Sequence, residues 1–133
     1  MKYLISVVVT TGNNVFANIQ DYASFCMQLP NTKPFTDVEA MAAQFKGDGR
    51  IIENGSNTII TGNVMTNLRV FKDEDSMTEW KVLWEPYRSQ FESIFEGIGW
   101  TFQCYERVIN DGGSEQVVVS GNWWRCHPAN NNL

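Results

Sequence analysis

Between positions 77 and 98 apolar residues recur at steps of three and four: Met77, Trp80, Trp84, Tyr87, Phe91, Ile94 and Ile98. At 3.6 residues per turn, this spacing puts all seven on one stripe of a single long helix. Ser76 and Glu79 read as a capping box at its start. The acids of Lys72-Asp73-Glu74-Asp75 suit the positive end of the helix dipole. Gly97 and Gly99 end the helix. Pro86 lies inside it and removes a backbone donor, so a kink, or a break near Trp84-Glu85, is expected. Glu79, Lys81, Glu85, Arg88 and Glu92 include i,i+4 pairs of opposite charge and read as a solvated helix face. So long an apolar stripe must be buried, and the segments flanking it decide against what.

Those segments read as strands. Residues 2–10 are apolar and β-branched, residues 58–71 form a longer strand with Gly62 as a bulge, and residues 100–109 follow the helix. A short strand at 50–53 precedes Asn54-Gly55, a hairpin signal. Two further helices lie between the first strand and these. One covers 15–29, with Val15, Ile19, Tyr22, Cys26 and Leu29 at helical spacing and Pro30-Asn31 as its stop. The other starts at Thr36, boxed by Glu39, buries Val38, Met41, Ala42 and Phe45, and stops at Gly47. Asn110-Asp111-Gly112-Gly113 turns the chain into a last strand at 115–120. The order β-α-α-β-β-α-β-β, without its first helix and last strand, is the split βαβ pattern. The expectation is one α+β domain over 1–133: a ferredoxin-like antiparallel sheet with helices on one face over about 1–109, an extra N-terminal helix, and a C-terminal hairpin and tail over 110–133.

Composition narrows the function classes. A chain of 133 residues, 43% hydrophobic and 19% charged, is one globular domain rather than a disordered tail. The net charge is −5 and the ten basic residues are scattered, so no basic patch exists to displace counterions from nucleic acid or to bind acidic lipid. The N-terminal apolar run of 3–9 is too short to span a bilayer, and it reads as a strand with a signal peptide as the alternative. Cys26, Cys104 and Cys126 are odd in number and form no CxxC pair, which points to a reducing, cytoplasmic compartment. The sequon Asn54-Gly55-Ser56 is then simply a turn.

Alternation sorts each strand into two faces. One set, Tyr3, Ile5, Val7 and Val9 with Val64, Leu68 and Val70 and with Trp100, Phe102 and Cys104, is apolar and reads as the core. The other is mixed: Leu4, Ser6 and Val8; Met65, Asn67, Arg69 and Phe71; Thr101, Gln103, Tyr105 and Arg107. A face too apolar for water and too polar for a core calls for a partner, a ligand or the C-terminal segment, the alternative being a solvated face with ordinary cross-strand pairs. Element order, together with the strand–acidic loop–helix passage of 68–84, resembles the dimeric α+β barrel group. The resemblance implies two sheets packed face to face, often around a ligand pocket, and in many relatives monooxygenase-like chemistry. The Asn, Trp and His set of its haem-degrading members does not map onto this chain, whose one histidine, His127, lies beyond the resembling region.

Other constellations are weaker. Cys126 next to His127 lacks the ligand spacing of a zinc site, and neither a metal nor a cofactor is expected. A Cys–His nucleophile pair would need Cys104 or Cys26 to meet His127 in space. Arg69 and Arg107, placed on one face of neighbouring strands, could clamp a carboxylate or phosphate, or each could pair with a nearby acid. Trp123-Trp124 gives the tail two large apolar side chains suited to an interface. The function these features suggest is a small soluble oligomeric interaction or assembly module without catalysis of its own, pairing with itself or a protein partner, a profile that viral particle proteins share. The alternative is a small-molecule-binding or monooxygenase-like protein with a pocket of Met65, Asn67, Arg69, Gln103, Tyr105 and Arg107.

Overall fold

A computed structural model describes residues 2–109 and 115–117. Its elements run β1 (Lys2–Thr10), α1 (Ile19–Cys26), α2 (Lys33–Gly47), a 3-10 turn (Glu53–Gly55), β2 (Asn57–Thr61), β3 (Val64–Phe71), α3 (Glu74–Glu96), β4 (Thr101–Ile109) and β5 (Glu115–Val117). The strands form one antiparallel sheet in the order β2-β3-β1-β4-β5. Among the described residues the fold is α+β, with three α-helices.

Local chemistry sets the helix starts, and it moves all three from the positions expected. At α3 the cap is Asp73, not Ser76: its carboxylate accepts the Ser76 N–H at 2.8 Å, and this bond holds the Asp73 carboxyl below its usual range. At α2 the helix begins three residues before Thr36, because Pro34 needs no N–H partner in a first turn. The Thr36 N–H already bonds the Thr32 carbonyl, and its hydroxyl donates to the Lys33 carbonyl instead of capping. At α1 the Asn18 side chain accepts from the Asp21 N–H at 2.9 Å, so the helix occupies only Ile19–Cys26 of the expected span and Val15 stays exposed. Pro86 does not break α3, which is continuous over Glu74–Glu96. Pro86 and Val82 both lie on the solvent side, so the Val82 carbonyl that loses its helical partner can take water.

The expected long strand of 58–71 is a hairpin. Thr61 pairs with Val64, and Gly62-Asn63 form a two-residue turn with Gly62 at φ +61°. Glycine at the first turn position with positive φ is the type II′ pattern, which matches the twist of paired strands. Upstream, the expected strand of 50–53 is reduced to a bridge from Ile51 to Phe71, and Asn54-Gly55 lie in the 3-10 turn rather than a β-turn of a hairpin.

Register decides the faces. Tyr3, Ile5, Val7 and Val9 lie opposite Phe71, Arg69, Asn67 and Met65 on β3, and opposite Val108, Glu106, Cys104 and Phe102 on β4. These residues share the face on which all three helices pack, in a core built around Trp80, Phe45, Phe71, Trp84 and Trp100. The expected sorting of β3 is therefore reversed. Met65, Asn67, Arg69 and Phe71 belong to the helix side, while Val64, Leu68 and Val70 lie on the other. There Leu4, Leu68 and Val70 form a second small apolar cluster. The same face is buried at Ser6, Tyr105 and Arg107.

Candidate functional site

The helix layer and the sheet do not close completely on one another. Between them lies a cavity of about 420 Å³, walled by all three helices and by β1, β2, β3 and β4. Its deep end is aromatic. Trp84, Phe91, Phe95 and Phe102 stack with ring centroids 5.7–6.2 Å apart and planes within 30° of parallel. α3 supplies the first three of these from its apolar stripe and β4 supplies the fourth. Phe95 was not part of the stripe read from the sequence; it lies one residue beyond Ile94 and is the more deeply buried of the two.

The mouth is defined by wall residues that solvent reaches: Ala23 and Met27 at the end of α1, Glu39 on α2 and Thr58 on β2. Three of the cavity's polar groups, Thr58, Asn67 and Arg69, sit on its β2–β3 side. Asn67 donates through Nδ2 to the Thr58 hydroxyl at 2.7 Å, across the paired positions of β2 and β3. Two residues further along β3, on the same face, is Arg69. Its guanidinium lies 5.0 Å from the centre of the Trp80 ring, a cation–π contact. Among the described residues it makes no hydrogen bond and no ion pair. Burial lowers the pKa of Arg69 and the more distant Glu39 carboxylate opposes that shift, so the guanidinium is a charge short of a counter-ion.

The other arginines of the helix side are matched. Arg50 bridges Asp48 at 2.7 Å and Glu79 at 3.0 Å, and Arg88 lies at 3.5 Å and 3.3 Å from Glu85 and Glu92. The buried Glu106 carboxylate on β4 accepts from Lys81 at 2.8 Å. This contrast singles out Arg69.

Tyr22 and Cys26, one turn apart on α1, also line the cavity. Burial pushes the Cys26 thiol up to about 11, against the lowering effect of Tyr22. Burial likewise raises the thiol of Cys104 and, above all other causes, the phenol of Tyr22. Thiols this hard to ionise are packing groups at neutral pH, not nucleophiles.

Of the six pocket residues expected from the sequence, the structure brings three together. Met65, Asn67 and Arg69 line the cavity. Gln103, Tyr105 and Arg107 lie on the far side of the sheet, where the Tyr105 hydroxyl donates to Gln103 Oε1 at 2.6 Å. The two-arginine clamp is not formed, because β1 runs between β3 and β4 and the two side chains leave opposite faces. Sequence reading missed Tyr22, Glu39 and Trp84 as wall residues, having assigned them to helix stripes and caps. Trp123, Trp124, Cys126 and His127 lie outside the described residues. Among the described residues no cluster of three or more His, Cys, Asp or Glu could hold a metal ion, and no helix is long and apolar enough to cross a membrane.

No protein-family profile, curated protein or solved structure matches the chain.

Proposed function

We propose that this protein binds an apolar small molecule in the cavity between its helices and its sheet. The observation that carries the reading is the cavity itself: about 420 Å³, aromatic at its deep end, with Thr58, Asn67 and Arg69 grouped along its β2–β3 side. That volume and that division of chemistry are what ligand sites of roughly 300–1,000 Å³ present. The strand order β2-β3-β1-β4, with α1 and α2 between β1 and β2 and α3 between β3 and β4, supports the ferredoxin-like reading of the fold. The resemblance to dimeric α+β barrels stays a proposal of the same kind. The cavity here lies on the helix side of one sheet.

A second reading, an oligomeric interaction module, draws on a different surface. Ile59 and Val64, 53% and 36% exposed, face away from the helices at the β2 edge of the sheet, where a second copy or another protein could cover them. Native mass spectrometry of the purified protein separates the two. The cavity reading expects a small-molecule adduct of one per chain, lost on extraction with organic solvent and restored by adding back the extract. Dimers or larger species with no adduct, and none regained from a lipid extract, would favour the interaction module.

A further inference from the structure

Resting on the cavity reading, we propose that the ligand is an amphipathic monocarboxylate, its head group received by Arg69 beside Asn67 and its apolar body directed to the aromatic end of the cavity. The argument starts from charge. Arg69 is the one arginine of the helix-side layer without an ion-pair partner among the described residues. It is a wall residue of the cavity, and the flat ring of Trp80 satisfies one side of it. A guanidinium offers a planar fork of donors that fits the two oxygens of a carboxylate. Desolvation already disfavours its charge, so an arriving anion returns what burial took away.

The neighbours set the ligand's charge. Glu39 lies at the mouth and interacts with Arg69 without reaching ion-pair distance, so the mouth holds one cation and one anion. A single negative charge can take the Arg69 fork, whereas a dianionic phosphate would meet Glu39 with nothing further to balance it. Asn67 and Thr58, bonded to each other, leave spare donor and acceptor capacity for a carboxylate at the same edge. Beyond these groups the wall is apolar as far as Trp84, Phe91 and Phe95, which suits a hydrocarbon or aryl body.

Calorimetric titration with dodecanoate, dodecanol and 1-aminoanthracene, a neutral apolar probe, tests the head group apart from the cavity. Wild type is expected to prefer dodecanoate over dodecanol by about tenfold or more, the size of a charge-assisted hydrogen-bonded pair. Arg69→Met should erase that preference and keep dodecanol. Glu39→Gln, at an exposed position, should tighten dodecanoate about threefold by removing a like charge at the mouth and leave dodecanol unchanged. If Arg69→Met does not fold, the wild-type comparison and Glu39→Gln decide. Equal affinity of wild type for acid and alcohol, or an acid preference that Glu39→Gln leaves unchanged, overturns the carboxylate proposal. So does 1-aminoanthracene binding without dodecanoate binding, and in each of these cases the cavity reading survives. Binding of none of the three overturns both.

Discussion

Arg69 and Cys26 show how one wall sets different side chains to different tasks. Arg69 is charged, half-buried and unmatched among the described residues, while Cys26 is buried and neutral. The thiol, raised to about 11 by burial, predicts a distinctive reactivity. Only thiolate reacts with iodoacetamide, and below the pKa the thiolate fraction rises about tenfold per pH unit. Alkylation at Cys26, followed on its peptide by mass spectrometry, should therefore climb through pH 8, 9 and 10 without levelling off, and 1-aminoanthracene should slow it. A plateau below pH 9 would mean that the thiol is not buried as described. Lys81 and Glu106 show the opposite solution, a buried charge with its partner in place. Lys81→Met would strand the Glu106 carboxylate and should destabilise the fold by roughly 3–5 kcal/mol in urea unfolding. A change below 1 kcal/mol would contradict that burial.

Secondary-structure elements were largely legible where several signals agreed. β1, α3 and β4 were read close to their observed bounds, because periodicity and glycine stops coincide there, although the α3 cap is Asp73 rather than Ser76. Errors arose where one residue carried two meanings. Gly62, alone in a β-branched run, is equally a bulge or the first residue of a II′ turn, and only pairing of Thr61 with Val64 decides for the turn. That same ambiguity explains the inverted faces of β3. Period-two alternation gives two sets for each strand, but it is the register against β1 that says which set faces the helices. The polar Asn67 and Arg69 made the outer assignment look natural, and the cavity is what makes them possible on the inside. Pro86 was read as a kink because proline is costly in a helix interior; its exposed position lets the helix continue. Pro86→Ala should then restore the missing backbone bond and stabilise the protein by about 1–3 kcal/mol in the same unfolding assay. Destabilisation instead would show that the ring contributes packing or rigidity in place.

For the molecule as a whole, the cavity is the feature that energetics must explain. By the scaling for cavities left in cores, about 24 cal/mol per Å³, a sealed void of 420 Å³ would cost roughly 10 kcal/mol, comparable to a domain's entire stability. The opening between α1, α2 and β2 relieves that cost by admitting water, and an apolar occupant would relieve it further. A ligand at a hundred times its Kd adds about 2.7 kcal/mol of stability by mass action alone. No sequence pattern announces such a space. It arises from how three helices seat on one sheet face, and half of the residues first grouped as its wall, Gln103, Tyr105 and Arg107, lie on the other side of the sheet. The most direct test of the account is a fluorescence titration of 1-aminoanthracene into wild type and Ala23→Trp. Ala23 is an exposed wall residue at the mouth, so the new ring should obstruct entry without disturbing the core. The account predicts saturable binding of one probe per wild-type chain, and binding lost in Ala23→Trp with its circular dichroism unchanged. No saturable binding to wild type, or equal binding to both proteins, would contradict it.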